Sequence, residues 1–143
     1  MSLFFTAFTR LHIWLYRRSG GRIGGAMLGA PILLLTTTGN KSGQPRTVPL
    51  MYFADGGKNY IVASAGGSPV HPAWYKNLAA RSQVEVQIGP RAFKANAVTV
   101  GEDERARIFA KVKQEQPRFA EYELKAGSRQ IPVVRLDEAV PEP

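Results

Sequence analysis

Residues 31–53 read PILLLTTTGNKSGQPRTVPLMYF, and this stretch decides the fold. PILLLTTT runs from apolar to β-branched residues, the composition of a buried strand. GNKSGQP then gathers glycine, asparagine, serine and proline, which is turn chemistry. RTVPLMYF returns to strand-prone residues, so the stretch predicts an antiparallel hairpin. Further on, ADGGKN (54–59) forms a second turn and YIVASA (60–65) a third strand, in meander order. GGSPVHP (66–72) breaks the sheet, and Pro72 suits the first turn of a short helix, AWYKNLAARS (73–82). VEVQI (84–88) alternates polar and apolar side chains, Gly89-Pro90 turns it, and AFKANAVTV (92–100) pairs back. EDERARIFAKVKQEQ (102–116) carries acids in its first turn and lysines towards its end, as the helix dipole favours. RFAEYELKAG (118–127) reads as a further helix closed by Gly127, and IPVVRL (131–136) as the last strand. The chain is therefore α+β, with about six mainly antiparallel strands and three or four helices. Six short strands joined by tight turns close into a small β-barrel.

The N-terminal segment is different in kind. Phe4, Phe8, Leu11 and Leu15 fall on one stripe of a helix, with Phe5, Trp14 and Tyr16 beside it. The apolar run is too short to span a bilayer, and its bases follow it where a secretory signal puts them first. Two readings stand: a helix packed on the domain, or one lying on a membrane with Arg10, Arg17, Arg18 and Arg22 meeting anionic headgroups. Gly20-Gly21 and Gly24-Gly25 then predict a flexible joint. The expected organisation is 1–25 amphipathic helix and joint, 26–137 barrel, and 138–143 tail. The expected location is the cytoplasm, or the inner face of the cell membrane if the helix docks there.

The chain of 143 residues carries 19 Lys+Arg against 11 Asp+Glu, a net charge of +8. Asp55 is the first acid, so residues 1–54 hold six bases and no carboxylate. That asymmetry points to an anionic partner. There are no cysteines and only two histidines, His12 and His71, which removes thiolate chemistry and makes a histidine metal site improbable. Neither paired carboxylates, nor G-x-S-x-G, nor a Walker loop occurs. Nucleic acid is not expected, because the bases lack interleaved aromatics. A bound organic cofactor could do the chemistry, with the protein supplying position and electrostatics. TTTGNKSGQPR (36–46) suits an anion, through turn N–H groups and the cations Lys41 and Arg46. ASAGGS (63–68) allows close backbone approach, and HPAWYKN (71–77) offers Trp74, Tyr75 and Asn77.

Taken together, LLTTTGNKSGQPRTVPL (34–50), VASAGGSPVHPAWYKNL (62–78), VEVQIG (84–89) and IPVV (131–134) resemble the deazaflavin-dependent nitroreductase family, the actinobacterial F420-dependent reductases. WLYRR (14–18) with GGRIGG resembles that family's N-terminal segment. The resemblance implies a split β-barrel like that of FMN-binding flavoreductases, and coenzyme F420, a 5-deazaflavin with a phosphate and a polyglutamate tail. It implies that Lys41, Ser42, Gly43 and Arg46 hold the tail and phosphate. Thr47, Val48, Pro49, Leu50 and Met51 would line the deazaflavin, with Ala63, Ser64, Ala65, Gly66, Trp74, Tyr75 and Asn77 on the other side. Met51, Ser64, Phe119 and Tyr122 would face a small lipophilic acceptor: a quinone, an unsaturated carbonyl or a nitroaromatic. No catalytic side chain is implied, since the cofactor supplies the hydride. Where the nitroreductase itself has a basic residue after the strand-end serine, this chain has Ala65, and it has Met51 in place of a tyrosine. The alternatives are an FMN-binding flavoreductase on the same barrel, or a non-catalytic binder of F420 or a lipophilic ligand. A homodimer through the exposed first helix is a further expectation.

Overall fold

The computed structural model describes residues 3–140. The chain opens with α1 (Leu3–Ser19), followed by β1 (Ala26–Met27), β2 (Ala30–Thr38), β3 (Pro45–Met51), β4 (Phe53–Asp55) and β5 (Lys58–Val62). A single 3-10 turn (Ala65–Gly67) leads to α2 (Ala73–Ala80), β6 (Gln83–Ile88) and β7 (Arg91–Thr99). Then come α3 (Glu102–Glu115), α4 (Arg118–Ala126) and β8 (Val133–Glu138).

All pairings are antiparallel, in the order β1-β2-β6-β7-β8-β5-β4, with β3 also paired to β2. Strands β3 and β4 thus sit at opposite ends of the path, yet only Tyr52 separates them in sequence. A sheet whose two ends are joined by one residue must curl round, and the half-closed barrel follows from that connection. The expected 46–53 strand is accordingly two strands, broken at Tyr52, whose N–H bonds to the Pro31 carbonyl at 3.1 Å. The meander is corrected too. β8 inserts between β5 and β7, while β5 has no ladder with β3.

The run Ile32-Leu33-Leu34-Leu35 is continuously apolar because β2 is buried on both faces. Leu33 and Leu35 enter the barrel interior with Ile61, Val84, Val86, Val134 and Leu136. Ile32 and Leu34 face the other way, against Tyr16 of α1. A further core lies between the sheet and α3–α4, where Phe53, Tyr60, Val62 and Val133 meet Ile108, Phe109, Val112 and Phe119.

Helix α1 overturns the expected stripe. Phe8 and Leu11 are 59% and 54% exposed, whereas Tyr16 is 1% exposed. Phe4 and Phe5 lie outside the residues whose side chains are described. Tyr16 docks through its hydroxyl, which accepts the Gly89 N–H at 2.9 Å. Its own proton lies between the Ile32 carbonyl at 2.9 Å and the Gln87 carbonyl at 3.2 Å. Burial pushes the Tyr16 phenol up from its ordinary pKa, so it remains a donor. The glycine joint is also close-packed. A Cβ on Gly21 would lie 2.6 Å from Gly89 Cα, and one on Gly24 2.5 Å from the His12 ring. Gly21 thus serves close approach to the β6–β7 turn, and Gly24 lets the chain fold back against α1.

Candidate functional site

The β2–β3 turn is built by local bonds. Gly39 N–H donates to the Gln44 carbonyl and Gly43 N–H to the Gly39 carbonyl, both at 2.8 Å. Gly43 takes φ 71°, in the left-handed region. The Ser42 hydroxyl accepts the Gln44 N–H at 3.2 Å, so it shapes the turn while its proton stays available. Buried Asn77 of α2 fixes the turn from behind. Its Oδ1 accepts the Asn40 N–H at 3.0 Å, and its Nδ2 donates to Thr37 Oγ1 at 3.1 Å. With both ends of its amide engaged, Asn77 positions the turn. Lys41 and Arg46 stand exposed on it.

Between this turn, α1 and α2 lies a cavity of about 1080 Å³. Its walls combine apolar Ile13, Trp14, Val48 and Trp74 with the cations Arg10, Arg17, Arg18, Lys41 and Arg46. Among the described residues, no carboxylate lines it. Arg17 ties the α1 wall to β3 by donating to Thr47 Oγ1 at 3.3 Å, and Thr47 shares a 2.8 Å hydroxyl bond with Thr36. Among the described residues, none of these five cations forms an ion pair, because every ion pair joins residues from Asp55 onwards. Five unpaired cations around an apolar slot fit a ligand that is both flat and polyanionic.

A second group lies where β5 ends. The strand leads into Ala65, Gly66 and Gly67, whose φ values are 49°, 61° and 84°. This left-handed turn packs on α4, with the place of a Gly67 Cβ 2.9 Å from the Tyr122 carbonyl. Ser64 and Tyr122 are thereby brought to one region, and Tyr122 stacks edge-on to Phe119 at 5.3 Å.

The family model described as F420H(2)-dependent quinone reductase matches residues 8–138. The chain belongs to that family. It is 45% identical over 131 residues to the F420H(2)-dependent quinone reductase Rv1261c of Mycobacterium tuberculosis, covering 89% of this chain and 87% of the relative. A putative F420H(2)-dependent quinone reductase of Mycobacterium bovis matches to the same extent, at 45% identity. Among solved structures, the F420-H2 dependent reductase FDR-A is 42% identical with a TM-score of 0.68, covering 75% of this chain and 94% of that one. HutZ, the heme storage protein from Vibrio cholerae, matches at 13% identity and a TM-score of 0.57, which shows the split-barrel fold alone. This member of the F420H2-dependent quinone reductase family is thus an F420-dependent oxidoreductase, and the flavin-binding alternative is not favoured. The cavity fits the family's cofactor: apolar walls for a deazaflavin, and unpaired cations for its phosphate and acidic tail.

The structure brings together part of the site expected for this reductase family. Lys41, Ser42, Arg46, Thr47, Val48, Trp74 and Asn77 line the cavity. Gly43 is in the turn but off the cavity wall, and Pro49 lies further along β3, opposite Leu34. Leu50 packs on the barrel core, and Met51 bridges the other two cores. Ala63 is fully buried, which leaves its side chain no face for a ligand. Tyr75 turns towards β7, its hydroxyl 3.1 Å from Thr99 Oγ1 and its ring 5.0 Å from His71. Phe119 lies in the core with its ring 5.7 Å from Phe53, so it backs Tyr122 instead of facing an open wall. Ala65 and Gly66 are exposed, and Ser64 is 8% exposed with no protein partner for its hydroxyl among the described residues.

Sequence reasoning missed the α1 wall. Of the two readings of that helix, packed on the domain or lying on a membrane, neither turns its arginines towards a cofactor, although the acid-free first third signals an anionic partner. Arg129 was missed as well, since nothing local marks it.

Proposed function

We propose that this protein binds reduced F420 in the cavity between α1, the β2–β3 turn and α2, and reduces a lipophilic quinone beside it. The observation that supports this reading most is the ring of five unpaired cations on apolar walls. When bound, the reduced cofactor supplies a hydride from the ring carbon C5. The protein's part is binding, orientation and exclusion of water. Lys41 and Arg46 from the turn, with Arg10, Arg17 and Arg18 from α1, hold the phosphate and acidic tail as charge-assisted hydrogen bonds. Val48 and Trp74 offer the flat apolar surfaces on which a planar ring packs. Ser64, whose hydroxyl has no protein partner among the described residues, and Tyr122 would donate hydrogen bonds to the acceptor's oxygens as negative charge develops there. The relatives named as quinone reductases support a quinone as acceptor.

A fluorescence titration with F420, with FMN in parallel, tests the cofactor. Micromolar F420 binding with weak FMN binding, followed by turnover of menadione, is the expected outcome. Tight FMN binding without an F420 response would overturn it.

The exposed Phe8 and Leu11 support a second element of the reading. They form an exposed apolar stripe, which matches a lipid surface, where a lipophilic acceptor dissolves. Deleting residues 1–18 would remove Tyr16 and a cavity wall, so the clean variant is F8S/L11S. It should abolish cosedimentation with anionic vesicles while leaving F420 affinity intact; unchanged cosedimentation removes the membrane element. A homodimer also belongs here, because a solved relative of 36% identity is described as a domain-swapped dimer. Light scattering that returns one chain per particle would exclude it.

A further inference from the structure

Arg129 lies in the connection between α4 and β8, and its guanidinium points inward at the end of β5. Nε donates to the Ser68 carbonyl at 2.8 Å. Nη1 donates to the Ala63 carbonyl at 3.1 Å and to His71 Nδ1 at 2.9 Å. Nη2 donates to the Ser64 carbonyl at 2.6 Å. A guanidinium only donates, so His71 Nδ1 accepts, and neutral His71 carries its proton on Nε2. No carboxylate pairs with Arg129 among the described residues. One cation therefore serves as the internal counterpart of three converging carbonyl dipoles.

Those carbonyls bracket an unusual piece of backbone. Ala65, a residue with a Cβ, holds φ 49° and is followed by two more left-handed residues. Such a run persists only where its surroundings over-determine it. The turn is exposed at Ala65 and Gly66, so packing on that side does not hold it. Gly67 meets α4 at Tyr122 and Lys125, which supports the turn from one flank. Arg129 supports it from the other, and it follows α4 directly in the chain. The guanidinium thus holds the serine side of the proposed acceptor region, while the Arg129 backbone N–H, bonded to the Ala126 carbonyl at 3.2 Å, ties the same residue to the end of the helix that carries Tyr122.

We propose that Arg129 is a positioning residue for the reaction: it clamps the Ser64–Ser68 turn through its carbonyls and so sets where Ser64 stands relative to Tyr122. This rests on the quinone-reductase reading for its kinetic consequence, and on the clamp geometry alone for its structural one. Lysine cannot replace arginine here, because a single ammonium cannot reach four acceptors in a planar fork.

The test uses the full chain with R129A and R129K, read by hydrogen exchange, F420 titration and menadione turnover. Exchange should quicken at residues 64–68 in both variants and stay unchanged in β2 and β6. F420 affinity should fall by no more than about 3-fold, since the cavity cations are untouched. Turnover number should fall about 100-fold, the cost of misplacing a positioned group by roughly 1 Å. Ethylguanidinium added to R129A should restore both turnover and slow exchange, which a general loss of stability would not allow. Unchanged exchange at 64–68, or quickened exchange throughout the barrel without rescue, overturns the proposal. If R129A does not fold, R129K alone decides it by the same exchange and turnover readings. If the parent protein fails to reduce menadione, the quinone reading fails by itself, and the exchange data still decide the clamp.

Discussion

Two halves of this molecule treat charge in opposite ways. On the face formed by β4, α3 and β8, cations and carboxylates satisfy each other. Arg107 and Lys111 bracket Asp55, Arg135 pairs with Glu104 and Asp137, and Lys113 meets Glu123. Around the cavity, Arg10, Arg17, Arg18, Lys41 and Arg46 meet no carboxylate among the described residues. Paired charges close a surface, whereas unpaired charges of one sign hold a field that only a ligand can neutralise. The contrast separates what the fold keeps for itself from what it leaves for a cofactor.

The comparison breaks most readily at the turn. K41A/R46A removes two charge-assisted contacts and should weaken F420 binding about 100-fold. Its melting temperature should stay within about 2 °C of the parent, because neither side chain supports the fold. A scanning calorimetry run beside the fluorescence titration checks both. If stability falls with affinity, the two halves are not separable.

The α1 wall should give a smaller effect. R10Q/R17Q should raise the F420 dissociation constant about 10-fold, and raising salt should narrow the gap between variant and parent. A salt-independent gap would assign the loss to displaced helix packing instead.

Tyr16→Phe sharpens the boundary between the halves. It strips the hydroxyl from three backbone partners and should lower stability by about 2 kcal/mol, or about 6 °C in melting temperature. A shift under about 1 °C would show that the α1 contact is apolar packing alone.

Acid should act on the paired half only. A hydrogen bond from Arg107, then one from Lys111, holds the Asp55 carboxyl below its ordinary range. The Tyr60 hydroxyl and then Arg135 do the same for Glu104, and Arg135 does so for Asp137. In each case the unfolded chain takes up its proton first. The stability these groups confer is therefore complete above the ordinary carboxylate pKa and is lost as pH falls from about 5 through the lowered values. Thermal melts of the parent and of K41A/R46A should lose the same number of degrees on acidification. A difference between them would place a titrating carboxylate near the turn. The smallest effect belongs to R107A, an exposed ion-pair partner, which should leave F420 affinity unchanged and cost at most about 2 °C.

Local chemistry made much of this fold legible. The turn-forming clusters at 39–45, 54–59 and 89–90 located the hairpins, and Gly127 stopped α4 where its φ of 64° requires it to. Sheet order was not legible, because the place of β8 between β5 and β7 depends on partners far apart in sequence. Strand β1, with two residues, carries too little pattern to be seen. It turns into β2 through Leu28 and Gly29, both left-handed, with the Leu28 carbonyl held by Gln116 at 3.1 Å. In the site, the turn cations were legible from composition. Arg10 and Arg17 were not, since an amphipathic stripe of Phe8 and Leu11 invites the inference that this face is the buried one. Tyr16 docks instead, and a phenol that seeks backbone acceptors leaves no periodic trace. Arg129 was silent for the same reason: its partners are carbonyls, which every sequence has.

The insertion of β8 has a consequence for how the chain is made. On the ribosome, β2, β3, β6 and β7 emerge before residue 133 and pair in ladders that need nothing later. The β4–β5 hairpin, though, joins the sheet's hydrogen-bond ladders through β8. Until β8 leaves the exit tunnel, β5 and β7 each present an open edge, a hazard for a nascent β-protein. Barrel closure therefore waits for β8, whereas the cavity, walled by α1, the β2–β3 turn and α2, draws only on segments that emerge before it.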